Sequence, residues 1–126
     1  MVIVPLHIYN QLALTTSSSV PDNMWLWRAD HAKGAPVTYT SNRCKNGLLV
    51  KGDNVQMYGL AVEHAENDLL VWSGNNGETY FYQSELPYGV DQDQYKTFAG
   101  YRVDENVTSH KGFGVGVCEL RRRPAR

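Results

Sequence analysis

The fold is indicated by a block that occurs twice, as DNMWLW at residues 22–27 and as DNVQMY at residues 53–58. Each copy opens with an Asp-Asn turn and continues as an alternating strand. Each then leads to an acidic residue followed by histidine, Asp30-His31 in the first copy and Glu63-His64 in the second. A weaker third copy begins at residue 105 and runs into a glycine-rich stretch. Repetition at a few tens of residues indicates a stacked architecture.

Outside this block the chain reads as short strands separated by Gly, Asn and Asp, with no convincing helix. Such a pattern is typical of a sandwich, a barrel or a β-solenoid. Asn54-Val55 recurs as Asn106-Val107, with a turn and strand at 77–80 midway, so the period is about 25 residues. We therefore predict an all-β fold, a short right-handed parallel β-helix of a few coils. A β-sandwich or jelly roll is the alternative.

The turn residues fit a β-helix, because asparagine tolerates a left-handed backbone and can form ladders between coils. The sequence predicts a polar turn at 11–19 and a strand at 107–109. It also predicts strands at the apolar or aromatic stretches 47–50, 68–72 and 79–83.

The chain has 126 residues, which predicts a single β domain over 1–126. Twelve basic and 13 acidic side chains nearly cancel, so no overall field would attract nucleic acid or an anionic membrane. No apolar stretch is long enough for a membrane span. Residues 1–20 lack the basic start of a signal peptide. The arginine-rich stretch 119–126 predicts a disordered basic tail.

The two cysteines, Cys44 and Cys118, form no metal-binding motif and no C-x-x-C pair. They could form a disulfide if the fold placed them side by side. In a chain without an export signal, two buried free thiols are the better prediction.

Four stretches in this order, 23–31, 47–55, 58–64 and 71–88, resemble a segment of large secreted bacterial and fungal proteins. Those proteins have a pectate-lyase-like β-helix and are often labelled coagulation-factor or discoidin-type domain proteins. The resemblance covers about residues 21–118 and implies action on polysaccharides. The family's proteins are several times longer, so this chain would supply only a few coils. Uncapped coil ends predict self-association into a homo-oligomer.

Three carboxylates are the candidate catalytic residues: Asp30, Glu63 and Glu85. Glycoside hydrolysis needs one carboxyl group as an acid and another as a base or nucleophile. Asp30 and Glu63 occupy matching positions of the repeat, so they are predicted to stack one coil apart, about 4.8 Å. The alternative is that these acids are ordinary solvent-facing turn residues.

Carbohydrate binding is assigned to aromatic and basic side chains near the repeat. Exposed rings stack on the C–H faces of sugars, and alternation places Trp25 and Trp27 on the same face. Phe81 and one set of tryptophans are expected in the core. Arg28 could contact an acidic sugar or form an ion pair with Asp30. The set of predicted ligand-binding residues is Trp25, Trp27, Arg28, His31, His64 and Tyr88.

No histidine or cysteine spacing matches a known ligand motif, so the sequence predicts no metal and no cofactor. Three functions follow from these observations. The first is a module that binds carbohydrate through exposed aromatic rings without turnover. The second is a glycoside hydrolase or lyase that uses the acidic residues. The third is an oligomeric structural remnant without a small ligand. The family resemblance favours carbohydrate as the partner.

Overall fold

The strands alternate along the chain between two sheets. The computed structural model describes residues 8–29, 42–88, 90 and 92–118. The first four strands are β1 (Ile8–Leu14), β2 (Asp22–Trp27), β3 (Cys44–Val50) and β4 (Gln56–Glu63). They are followed by β5 (Leu70–Trp72), β6 (Gly77–Glu85), the short helix α1 (Gln92–Tyr95), β7 (Arg102–Val103) and β8 (His110–Cys118).

The two sheets are built from parallel strands throughout. Sheet A has the order β1-β3-β5-β7 and sheet B has the order β2-β4-β6-β8. Every neighbouring pair is parallel. Each coil therefore adds one strand to each sheet, and the predicted parallel β-helix is confirmed. A sandwich or jelly roll of antiparallel strands is excluded for the described residues.

The coils have unequal lengths, so the predicted period of about 25 residues is wrong. In sheet A, Leu12 pairs with Leu48, which is 36 residues on, and Leu48 pairs with Leu70, 22 residues on. The step from β6 to β8 is 33 residues, as in the pair Gly77 and His110. Unequal coils are tolerated because lengthening a surface connection adds little entropic penalty.

The unequal coils also change the alignment of the repeated block. The sequence alignment of the two copies places Asp22 opposite Asp53. In the structure Asp22 pairs with Tyr58, so the true register differs from that alignment by five residues. Similarly, the neighbour of Asn54 is Asn76, whose amide donates to the Asn54 side chain at 3.2 Å. The predicted asparagine ladder is confirmed, although it does not involve Asn106.

The core lies between the sheets and consists of apolar rows that run from coil to coil. One row in sheet A is Leu14, Val50 and Trp72, and one row in sheet B is Met24, Leu60 and Tyr82. Members of the second and third coils are almost completely buried. Glycine is required at position 77, because a Cβ there would overlap the Trp72 indole. The prediction that part of the tryptophan set fills the core holds for Trp72.

A row of left-handed residues bends sheet B at the same place in every coil. Asn23, Gly59, Phe81 and Gly114 are in register and have φ values of 50°, 60°, 63° and 66°. The bend interrupts the alternation of the strands. Phe81 is consequently turned outward and is 71% exposed, so the prediction that it lies in the core is wrong.

Smaller differences concern local elements. β1 extends to Leu14 and includes half of the stretch predicted as a polar turn, while residues 107–109 do not form a strand. The described residues include no helix that is long and apolar enough to cross a membrane. The basic stretch 119–126 lies outside the described residues.

Candidate functional site

The candidate site lies on the outer face of sheet B, where the side chains point away from the core. Along β4, Met57, Leu60 and Val62 are buried, whereas Tyr58 and Ala61 point outward. The parallel register repeats this pattern in each coil, so outward positions form rows across the sheet. The first of these rows consists of Trp25, Ala61, Gln83 and Gly116.

A cluster of three titratable side chains stands where β4 and β6 end. Glu63 and Glu85 are register partners on these strands, and His64 follows Glu63. One ligand atom from each of the three residues lies within 4.8 Å of the others. Glu63 and His64 are buried, whereas the Glu85 side chain is 29% exposed. The cluster therefore has one carboxylate that solvent or a ligand can reach.

The hydrogen bonds around His64 fix the shape of this cluster. His64 adopts a left-handed backbone with a φ of 64°, and its amide donates to the Glu85 carbonyl at 3.0 Å. Its Nε2 lies 3.7 Å from a carboxylate oxygen of Glu85. The Tyr88 hydroxyl donates to the same oxygen at 3.3 Å, and the Tyr88 ring packs against the imidazole with centroids 4.6 Å apart. Tyr88 and His64 thus converge on Glu85, as members of one site.

Arg28 lies beneath the outer face and not on it. It is 6% exposed, and its Nη1 donates to the His64 carbonyl at 3.0 Å and lies 3.8 Å from Glu66. Glu66, which is 1% exposed, also accepts hydrogen bonds from the Arg43 guanidinium at 2.9 to 3.1 Å. Buried charges need such partners. Arg28 is therefore placed to hold the His64 backbone.

Trp25 and Trp27 extend the cluster toward the first coil. Their rings stack with centroids 4.8 Å apart and an interplanar angle of 16°, so the prediction that they share a face is confirmed. Trp27 is the register partner of Glu63, and Trp25 is that of Ala61. Trp25 is 60% exposed. The face thus offers an accessible indole next to the carboxylate cluster.

The structure also shows an outer aromatic row that sequence reasoning missed. Tyr58, Tyr80 and Phe113 stack across three coils with centroids 4.8 and 4.9 Å apart. Beside them, Glu78 accepts hydrogen bonds from Lys111 and Tyr80, which hold the pKa of that carboxyl below its ordinary value. Only the correct coil lengths of 22 and 33 residues bring these three rings into one row.

A second polar group lies inside the coil and away from this face. The Tyr101 hydroxyl is hydrogen-bonded to the Thr79 hydroxyl at 2.7 Å and to His110 Nε2 at 2.6 Å. Burial lowers the pKa of His110 and raises that of Tyr101. This group packs against Trp72 and belongs to the core.

The remaining predicted positions fall as follows. Asp30 and His31 lie outside the described residues, so the predicted stacking of Asp30 on Glu63 stays a prediction. The described register partner of Glu63 in the first coil is Trp27. Both cysteines are free, as predicted, but Cys118 is exposed and only Cys44 is buried. Burial raises the pKa of the Cys44 thiol.

The cluster of Glu63, His64 and Glu85 permits two kinds of chemistry. Two carboxylates at this separation can serve as an acid and a nucleophile toward a glycosidic bond. An imidazole nitrogen with two carboxylates is also a donor set that suits a divalent metal ion. Among the described residues, it is the cluster that could hold such an ion.

Comparisons with known proteins point to one family. The model of the LAM55 pectate lyase-like domain matches residues 6–85. A protein named exo-β-1,3-glucanase from Streptomyces sp. (strain SirexAA-E / ActE) is 40% identical over 111 residues, which are 83% of this chain and 18% of that protein.

Solved structures give the same result. The structure of sacteLam55A from Streptomyces sp. SirexAA-E is similar over 90% of this chain, with a TM-score of 0.82 and 39% identity. A variant of that protein in complex with glucose is similar to the same extent. This chain covers 21% of each of the two solved chains, so it spans about a fifth of the length of these relatives.

Proposed function

This chain belongs to the LAM55 pectate lyase-like domain family, and on that premise we propose that it binds β-1,3-glucan without cleaving it. The binding surface is the outer face of sheet B. The observation behind this proposal is the exposed indole of Trp25, which stacks on Trp27 beside the carboxylates of Glu63 and Glu85. The relative named exo-β-1,3-glucanase supports glucan as the ligand class.

The face has the composition of a sugar-binding surface. An exposed indole covers the apolar C–H face of a pyranose ring, and nearby carboxylates accept hydrogen bonds from its hydroxyl groups. Next to Trp25, the row continues with Ala61, Gln83 and Gly116, which are small or polar. Gly116 is exposed, and a Cβ at this position would make only an ordinary contact with the Tyr82 carbonyl oxygen, at 3.7 Å. A glucan chain that runs from Trp25 to Gly116 would follow this row.

The support for binding comes mainly from accessibility. Glu63 is buried, and Glu85 already interacts with Tyr88 and His64. Hydrolysis requires an acid and a base that both reach the scissile bond. A hydroxyl of the sugar needs only the exposed part of Glu85 and the Trp25 ring. Binding therefore needs only groups that are exposed in this arrangement, whereas catalysis also needs the buried Glu63 to reach the substrate.

Hydrolysis is the second candidate function, and one observation favours it. The carboxylate atoms of Glu63 and Glu85 approach within 4.8 Å, near the separation of about 5–5.5 Å that is typical of retaining glycosidases. In that case the more exposed Glu85 would act on the glycosidic oxygen. Glu63→Gln and Glu85→Gln would then each abolish product formation.

Binding and cleavage can be measured on the same samples. Isothermal titration calorimetry compares an oligosaccharide of six β-1,3-linked glucose units with one of six β-1,4-linked units. Chromatography of the samples after prolonged incubation detects any shortened product. We expect heat with the β-1,3 ligand, less with the β-1,4 ligand, and no product. Product formation that is lost in Glu85→Gln would replace the proposal with hydrolysis. If neither ligand gives heat and no product forms, both functions are refuted.

A further inference from the structure

Phe81 combines a strained backbone with an exposed aromatic ring in the interior of sheet B. It has a φ of 63°, a left-handed conformation that is rare for a bulky residue and that glycine or asparagine adopts more easily. The equivalent positions are Gly59 on β4, Gly114 on β8 and Asn23 on β2. Phenylalanine is therefore the residue of this row that the bend itself does not favour.

The ring of Phe81 gains little packing in return for this strain. It is 71% exposed, and no ring of another described residue stacks on it, whereas the adjacent Tyr80 has a ring on each face. A Cβ at Gly114 would lie 3.9 Å from Phe81 Cδ2, so the phenyl ring leans over a glycine that leaves it uncovered. Backbone strain of this kind concentrates at binding and catalytic sites.

Phe81 lies on the same face as the proposed glucan contact. The bend turns it outward two residues before Gln83, which belongs to the row that begins at Trp25. From the strand spacing and the rise per residue, the Cα atoms of Trp25 and Phe81 are about 12 Å apart. On β4, which lies between them, the outward positions at this level are Gly59 and Ala61. Two small residues therefore line the surface from one ring to the other.

We propose that Phe81 is a second sugar contact, which stacks on a different glucose unit of the β-1,3-glucan chain that Trp25 holds. This inference rests on the proposed glucan binding and adds a preference for longer chains. The separation of the two rings is larger than that of adjacent sugar units, so a disaccharide reaches one ring and a longer chain reaches both. The Gln83 amide, beside Phe81 on β6, can hydrogen-bond to hydroxyl groups of the units between them.

Calorimetric titration with β-1,3-linked oligosaccharides of two and six glucose units tests the proposal. Phe81→Asn removes the ring and introduces the residue that β2 has at this position, so the bend is kept. It should weaken hexasaccharide binding about tenfold, the gain expected when a sugar covers one face of an exposed phenyl ring. Binding of the disaccharide should not change. Trp25→Ala, by contrast, should weaken binding of both ligands.

Two further variants control for the loss of an exposed ring. Phe81→Tyr keeps an aromatic ring at the same place and should bind both ligands like the wild type. Tyr9→Asn removes an exposed ring from sheet A, and both affinities should again equal those of the wild type.

Thermal unfolding separates a ligand contact from a structural role. Phe81→Asn and Phe81→Gly should unfold at the wild-type temperature or above it, because both residues relieve the left-handed strain. A ring that serves the fold would give the opposite result. A lower midpoint of unfolding in both variants would therefore overturn the proposal.

The titrations also distinguish this inference from the proposed function. If the wild type binds the hexasaccharide and Phe81→Asn binds it equally well, the second contact is overturned and glucan binding at Trp25 stands. An equal loss for the disaccharide and the hexasaccharide in Phe81→Asn would overturn the assignment of a separate glucose unit. If the wild type gives no heat with the hexasaccharide, glucan binding is refuted and the second contact with it.

Discussion

Removal of the exposed indole gives the most direct test of the sugar-binding face. A tryptophan side chain has an area of up to about 250 Å², and Trp25 is 60% exposed, so about 150 Å² is accessible. A sugar ring covers one face, or about half of that area. At about 25 cal/mol per Å², the contact contributes about 2 kcal/mol. Trp25→Ala should therefore weaken β-1,3-glucan binding by a factor of about 30.

Calorimetric titration of both proteins with the same oligosaccharide measures this factor. Tyr9→Ala is the matched control, because Tyr9 is a 67% exposed aromatic residue on sheet A, away from the face. Its affinity should equal that of the wild type. Thermal unfolding should show both variants folded, since each loses a mainly exposed ring. An unchanged affinity of Trp25→Ala, or an equal loss in Tyr9→Ala, would refute the assignment of the ligand to this face.

Three further predictions concern the scaffold. Burial lowers the pKa of His110, so the unfolded state binds its proton more readily; the free energy of unfolding in urea should therefore fall as the pH drops below about 6.5. His110→Gln should reduce this pH dependence. Gly77→Ala should destabilise the protein by about 3 kcal/mol in the same assay, because the new Cβ overlaps the Trp72 indole. Glu66→Gln should lower the free energy of unfolding by about 2–3 kcal/mol, since it removes a buried partner of Arg43, whose own side chain is 44% exposed. No loss of stability in either variant would contradict these contact assignments.

The architecture was predictable because local signals and stacking agree. Alternating strands, turns rich in asparagine and a recurring block all favour a coil that repeats. The ladder of Asn54 and Asn76 shows why asparagine recurs at the turns, since its amide can both donate to and accept from the next coil. Coil length was not predictable in this way. It depends on the connections between strands, which can change length with little effect on the stacked rows.

Because coil length was not predictable, the sequence could indicate the residues of the candidate site but not how they are arranged. Glu63, Glu85, Trp25 and Trp27 were each recognised from residue type and local alternation. Their mutual arrangement depends on register, and the assumed offset paired Glu63 with Asp30. In the structure the 22-residue coil pairs Glu63 with Glu85, and the 36-residue coil places Trp27 beside it. An error of a few residues in coil length is enough to exchange the partners of every outward side chain.

Exposure alone does not make an aromatic row a sugar platform. Tyr58, Tyr80 and Phe113 stack with interplanar angles of 6° and 9°, so Tyr80 uses both of its faces on its neighbours, and Tyr58 and Phe113 each use one face. A pyranose needs a ring face. Trp25 stacks on Trp27 and is still 60% exposed, at the end of the outward row that leads to Gly116. Glu78, the carboxylate beside the row of Tyr58, Tyr80 and Phe113, is engaged by Lys111 and Tyr80. Among the described stacked rings of sheet B, Trp25 is the most exposed, and the ring on which it stacks, Trp27, is the register partner of Glu63. Greater exposure next to the pair of Glu63 and Glu85 is what favours Trp25 as the candidate ligand contact.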